Sequence, residues 1–216
     1  MSGFTRAVAL ALVLTAGPAG RLTAQKILEQ FSSENLAASA FGFDLGVLAG
    51  TDIRGTRAGA LRLDFGRVAP SIRVLLGVSY FRADLNGATL ARFADRLRSI
   101  VYDPDSNYTI DLGRVTWSDV TGDLDLQYVM PQGRSVTAFM GLGLSVHVRR
   151  GSGPAIDDTF VQDALNAITA GLNGTLGAEF GSGHWRFALD GRGVLASGLS
   201  TVALSAGARY RWAGAR

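Results

Sequence analysis

Cysteine is missing altogether from the 216 residues. Its absence excludes a disulfide framework, a thiolate metal site and a cysteine nucleophile. Lysine occurs once, at Lys26, and charged residues of all kinds make up 18% of the chain, below the roughly 25% usual for a soluble domain. No apolar run approaches the roughly 20 residues that a helix needs to cross a bilayer. If the mature chain sits in a membrane, it sits there as strands. A basic stripe with interleaved aromatics is also lacking. The net charge is only +3 and the arginines alternate with aspartates, which argues against a nucleic-acid partner.

What is abundant is apolar residues, 47% of the chain, and glycine, 28 residues against five prolines. Mean hydropathy is +0.20. The length suits one compact domain, and the glycines suggest many turns and strands crowded against other backbone. The N-terminus reads as a secretory signal over residues 1–24. Arg6 supplies the positive charge, Ala7 to Ala16 form a short apolar stretch, and Ala24-Gln25 is a cleavage point. The alternative is an ordinary buried helix. Residues 25–37 are expected as a periplasmic segment, 38–212 as the folded domain and 213–216 as a tail.

From Ala38 to Trp212 the dominant signal has period two, as in half-buried strands. Eight runs emerge. Ala38 to Gly50 sets Phe41, Phe43, Leu45 and Val47 against Gly42, Asp44 and Gly46. Thr56 to Arg67 sets Leu61, Leu63 and Phe65 against Arg62 and Asp64. Ser71 to Ala83 sets Ile72, Val74, Leu76, Val78 and Tyr80 against Arg73, Gly77 and Ser79. Thr116 to Met130 sets Val120, Leu124, Leu126 and Tyr128 against Asp119, Thr121, Asp123, Asp125 and Gln127. Ser135 to Arg149 sets Met140, Leu142, Leu144, Val146 and Val148 against Gly141, Gly143, Ser145 and His147. Ala170 to Gly181 sets Leu172, Leu176 and Phe180 against Asn173, Thr175 and Glu179. His184 to Ala196 sets Trp185, Phe187 and Leu189 against Arg186, Asp190 and Arg192. Ser200 to Trp212 sets Val202, Leu204, Tyr210 and Trp212 against Ser205, Gly207, Arg209 and Arg211.

Connections after the second, fourth and sixth runs are tight. Those after the third and fifth are long, about Asp84 to Val115 and Gly151 to Thr169. Both long connections therefore fall on one end, as in outer-membrane barrels. Each carries a helical pattern. Thr89 to Val101 aligns Leu90, Phe93, Ala94, Leu97 and Val101. Asp158 to Ile168 aligns Val161, Ala164, Leu165 and Ile168, with Asp157 or Asp158 as cap. The expected fold is all-β: an eight-stranded antiparallel up-and-down transmembrane β-barrel with two short helices in the long outer loops. The helices either cover the barrel mouth or, through Arg92, Arg96 and Arg98, offer phosphate contacts to lipopolysaccharide.

Alternation does not by itself say which face is inside, and a soluble lipocalin-like ligand-binding barrel is the rival. Three features favour apolar-out: the signal segment, a polar face mixing charges with small residues and almost no lysine, and aromatics near strand ends. Phe41, Phe65, Tyr128, Phe180, Trp185, Tyr210 and Trp212 mark the tight-turn end, and Tyr80 and Trp117 the long-loop end. The lumen then holds an ion network of Asp44, Arg62, Asp64, Arg73, Asp123, Asp125, Glu179, Arg186, Asp190, Arg192 and Arg209. Eight strands leave an interior just wide enough for side chains, so no wide aqueous pore is expected. Leu48, Leu75, Phe81, Phe139 and Val194 break the pattern by falling on the lumen face, and Gly191 and Gly193 by falling on the lipid face.

These runs resemble the small eight-stranded outer-membrane proteins of the OmpA, OmpX and OmpW kind. Ser205-x-Gly207-x-x-Tyr210-x-Trp212 is similar to that family's C-terminal signal for the barrel-assembly machinery, with Gly207, Tyr210 and Trp212 as its key positions. Here Ala213 to Arg216 follow the final aromatic. The resemblance implies location in the bacterial outer membrane, lipids and the assembly machinery as partners, termini in the periplasm and long loops outside.

The search for chemistry gives little. Ser145 and His147 share a strand face, as a nucleophile and base would. Their order is the reverse of the His-x-Ser of outer-membrane lipid hydrolases, they face the lumen, and no third partner is evident. Asp119, Asp123 and Asp125 fit a charged lumen better than a metal site. Asn107-Tyr108-Thr109 and Asn173-Gly174-Thr175 match a glycosylation pattern that means little in a bacterial barrel. Gly171 to Gly183 lack the context of a phosphate loop. No cofactor, metal or enzymatic activity is expected. The functional expectation is a barrel with a filled polar lumen and a structural or surface-interaction role; the alternative is transport of small solutes, apolar ones included, across the outer membrane.

Overall fold

The computed structural model describes residues 36–100 and 112–212. The expected signal segment, nearly all of segment 25–37, Val101, Asn107 to Thr109 and the tail 213–216 lie outside these residues. Eight strands close into one barrel in sequence order: β1 (Leu36–Gly50), β2 (Thr56–Ala69), β3 (Ile72–Asp84), β4 (Thr116–Gln132), β5 (Val136–Ser152), β6 (Ala167–Phe180), β7 (Trp185–Ala196) and β8 (Leu199–Arg211). Every neighbouring pair is antiparallel, and β8 returns to β1 with Gly42 opposite Arg209 and Val47 opposite Leu204. Closure leaves no open sheet edge, so backbone donors and acceptors are satisfied without water.

The apolar residues of the period-two pattern point outward. Leu142 is 77% exposed, Phe187 68% and Leu204 64%. In water such a continuous apolar surface would be an aggregation hazard; around a barrel it is the hydrocarbon-facing band. The polar residues point inward, where Asp44, Arg73, Asp125 and Glu179 are all buried. A soluble barrel with an apolar cavity is therefore excluded. Tight turns close the inner end. Gly133 there has φ 81°, and Gly198 in the outer β7–β8 hairpin has φ 75°, a region open to glycine at little cost.

The outer end is closed by its own small core. α1 (Gly87–Ile100) presents Leu90, Phe93, Ala94 and Leu97 to a cluster of Leu48, Ile53, Phe81, Leu85, Val115, Trp117, Ile156, Val161 and Leu165. An isolated bridge between Ile53 and Leu85 ties the first outer loop to the second. This cap explains two of the apolar residues on the lumen face, Leu48 and Phe81, which lie at its base. Deeper down, Leu75 and Phe139 are fillers, each 1% exposed.

Several sequence expectations need correction. Trp117 is not in the outer aromatic girdle; it shares the lumen face of β4 with Asp119 and is buried in the cap. The second loop helix, α2, is shorter than expected, Phe160–Leu165, and its N-cap is Thr159, whose hydroxyl accepts from the Val161 amide. Neither Asp157 nor Asp158 caps it. Ile168 belongs to β6, opposite Val148, and faces lipid. Strand pairing outcompetes a helical period here because the ladder supplies a hydrogen bond at every second residue. β1 also begins two residues early, at Leu36.

Candidate functional site

Among the described residues, the lumen contains seven arginines and seven acids linked by ion pairs: Arg62, Arg73, Arg149, Arg186, Arg192, Arg209 and Arg211 with Asp44, Asp64, Asp119, Asp123, Asp125, Glu179 and Asp190. The charges balance, so the closed interior needs no counter-ion. Burying any one of them alone would cost several kcal/mol.

The network has three levels. At the tight-turn end Glu179, fully buried, receives Arg73 at 2.6 Å, Arg209 and Arg211 at 3.3 Å, and Arg186 at 3.9 Å. The guanidinium of Arg73 also reaches Asp64 at 3.6 Å and donates to Gln127. Arg73 and Arg209 both lie against the Phe139 ring, at 5.1 and 5.7 Å from its centroid, within cation–π range. In the middle, Arg62 donates to both oxygens of Asp123 at 2.7 and 2.8 Å and to Asp44 at 3.3 Å. Arg192 bridges Asp123, at 3.3 Å, and Asp125. Arg209 links the two levels by reaching Asp44 at 3.8 Å and Asp190 at 3.9 Å.

The glycines of the lumen face make this packing feasible. Gly207 faces Asp44 on β1, Gly77 faces Asp123, Gly143 faces Asp125, and Gly177 faces Asp190. A Cβ at any of them would overlap the side chain opposite. Gly207 of the expected assembly signal thus has a structural duty in the lumen. Tyr210 and Trp212 of that signal lie on the outer surface at the tight-turn end, Tyr210 against Trp185.

The third level, nearest the cap, is not visible as a unit in the sequence. Ser145 Oγ lies 2.9 Å from His147 Nε2, and His147 Nδ1 lies 3.3 Å from Asp119 Oδ1. The sequence alone shows no third partner for the Ser-His pair; Asp119 is that partner, brought in from β4 by the register that sets Asp119 opposite Arg149. The relay nevertheless lacks what acyl transfer needs. Thr121 Oγ1 sits closer to Nδ1, at 2.9 Å, and also donates to Asp119. Arg149 neutralises Asp119 at 3.3 Å. Strand amides are committed to the ladder, leaving no backbone oxyanion donors. Ser145 itself is 3% exposed. The group is a hydrogen-bonded seam between the ion network and the cap.

Between seam and network is a cavity of about 60 Å³ lined by Asp44, Arg62, Ser79, Asp123, Ser145, His147, Arg192 and others. It has room for a few waters and not for a drug-sized ligand. No cluster able to hold a metal ion occurs among the described residues. Outside the lumen, Arg92 pairs with Asp52 at 2.7 Å and Arg98 with Asp95 at 3.1 Å; Arg96 is exposed on the same helix.

No family model matches the chain, and no curated protein matches it in sequence. Solved structures do match in shape. Neisserial surface protein A aligns over 80% of this chain and 96% of its own, at 10% identity and a TM-score of 0.54. The N-terminal β-barrel domain of Pseudomonas aeruginosa OprF aligns over 81% and 98%, at 9% identity and a TM-score of 0.47. Ail, the attachment invasion locus protein of Yersinia pestis, aligns over 81% and 97%, at 11% identity and a TM-score of 0.43. The chain has the fold of the small eight-stranded outer-membrane β-barrel proteins.

Proposed function

We propose that this protein resides in the bacterial outer membrane as a closed barrel, anchoring and presenting its outer loops instead of conducting solutes. One observation carries the reading: the lumen is shut twice. The apolar cap of α1, α2 and the outer loops seals one end. A charge-balanced network, with Phe139 packed into it, fills the rest. The cavity of about 60 Å³ between seam and network is far smaller than the water-filled channel of a porin.

The lipid-facing band supports membrane insertion, and the Gly207, Tyr210 and Trp212 pattern supports delivery by the assembly machinery. Arg92, Arg96 and Arg98, exposed on α1, stand where outer loops would meet lipopolysaccharide or a partner. The test is planar-bilayer recording on protein whose folding is shown by a heat-shift gel. Folded barrel should add no conductance above the bare membrane. Reproducible unitary steps from the wild-type chain would contradict the closed-scaffold reading and favour the transport alternative.

A further inference from the structure

Three arginines stand outside the lumen, where the apolar band ends. On β3 the outward face runs Val78, Tyr80, Arg82; on β5 it runs Val146, Val148, Arg150; on β2 it runs Leu61, Gly59, Arg57. All three arginines are exposed. The ladder aligns them. Ala58 pairs with Phe81, which carries Arg57 alongside Arg82. Arg82 pairs with Ser118, and Ser118 with Arg150. With strands about 4.8 Å apart, the row Arg57–Arg82–Ser118–Arg150 spans roughly 15 Å of the outer rim.

None of the three makes an ion pair with a described residue; the contacts to Arg82 and Arg150 from Thr56 and Ser118 go to their backbone carbonyls. Like charges side by side on neighbouring strands are destabilising. The row is also one-sided: β6, β7 and β8 carry Ile168, Leu195 and Val202 towards their outer ends. Unpaired guanidiniums directly above a hydrocarbon-facing surface meet one chemistry at that depth, the phosphates of lipid headgroups, which arginine grips in bidentate fashion.

We infer that Arg57, Arg82 and Arg150 form a binding site for the phosphate groups of an outer-leaflet lipid, seated on the β2–β5 side of the barrel. The row fits a headgroup bearing two phosphates better than one, because Arg82 and Arg150 are two strands, roughly 10 Å, apart. This inference rests on the proposed outer-membrane residence.

The test uses folded full-length barrel in nanodiscs of three compositions: phosphatidylcholine alone, phosphatidylcholine with phosphatidylglycerol, and phosphatidylcholine with a bis-phosphorylated glucosamine lipid. Lipid retained on the protein after exchange into detergent is measured by native mass spectrometry. Wild type should retain the bis-phosphorylated lipid in preference to phosphatidylglycerol, and either in preference to phosphatidylcholine. The triple variant Arg57→Gln, Arg82→Gln, Arg150→Gln should lose roughly a hundredfold in that preference, each charge contributing about fivefold. Arg82→Gln alone should show a partial loss, which keeps the test informative if the triple variant folds poorly. Arg134→Gln, exposed at the opposite end, should leave retention unchanged. Equal retention by wild type and variants would overturn the site while leaving the barrel's residence intact; a band that fails to shift on boiling would instead count against residence itself. Preference for phosphatidylglycerol equal to that for the bis-phosphorylated lipid would overturn the two-phosphate assignment.

Discussion

Gly77 sits across the β3–β4 ladder from Asp123, and the space its missing side chain leaves is where the Arg62 guanidinium meets the Asp123 carboxylate. The same relation recurs between Gly207 and Asp44, and between Gly143 and Asp125. A narrow barrel cannot hold facing side chains on every strand, so four of the buried acids, Asp44, Asp123, Asp125 and Asp190, are each matched with a glycine across the ladder. Glycine in a strand weakens it intrinsically; here that loss is offset by an ion pair that would otherwise not fit.

Gly77→Ala should therefore destabilise the folded barrel by about 2 kcal/mol, the usual scale of overpacking a filled interior. Urea unfolding in lipid vesicles, followed by the heat-shift gel, measures it. Gly122→Ala is the control. Its Cβ would meet nothing within 4 Å on the outer surface, and a change within about 0.5 kcal/mol is expected. Equal effects at the two positions would refute the role of the lumen glycines as sockets.

Among the described residues, Glu179 is the acid that four arginines share. Glu179→Gln removes the counter-charge and leaves the guanidiniums buried together, so a loss of about 3–5 kcal/mol is expected. The exposed pair of Arg92 with Asp52 sets the contrast: Arg92→Gln should cost less than about 1 kcal/mol. The same urea titration separates the two. A Glu179→Gln barrel as stable as wild type would mean that the network is not held by charge.

Ser145, His147 and Asp119 have the connectivity of a hydrolytic relay in an enclosed, anion-neutralised setting. The wild-type barrel should neither release alcohol from acyl esters above the buffer rate nor take up a fluorophosphonate probe. Ser145→Ala should match it in both assays. Labelling of Ser145 in the wild type would show that the seam is reachable and its serine activated.

Most of the fold was legible because a barrel repeats one rule. Side chains alternate, one side meets lipid and the other a crowded interior, and loop lengths mark the two ends. Register was not legible. Nothing in Ser145-x-His147 points to Asp119, since the contact depends on how β4 and β5 slide past each other. For Trp117, parity decides over aromatic identity: it is two residues from Asp119 and so shares its face. Ile168 continued a helical pattern in the second outer loop, and only its pairing with Val148 assigns it to β6. The rim arginines do carry a sequence signal, an arginine two residues beyond the last apolar residue of the same face, as in Tyr80-x-Arg82 and Val148-x-Arg150.

The natural lack of cysteine makes single-cysteine spin labelling clean, and it addresses the orientation of the faces directly. Nitroxides at Leu142, Leu172 and Leu204, all more than half exposed on the outer face, should in bilayers collide freely with dissolved oxygen and hardly at all with a water-soluble nickel chelate. Ready quenching by nickel with little effect of oxygen at these three sites would place them in water and contradict the account.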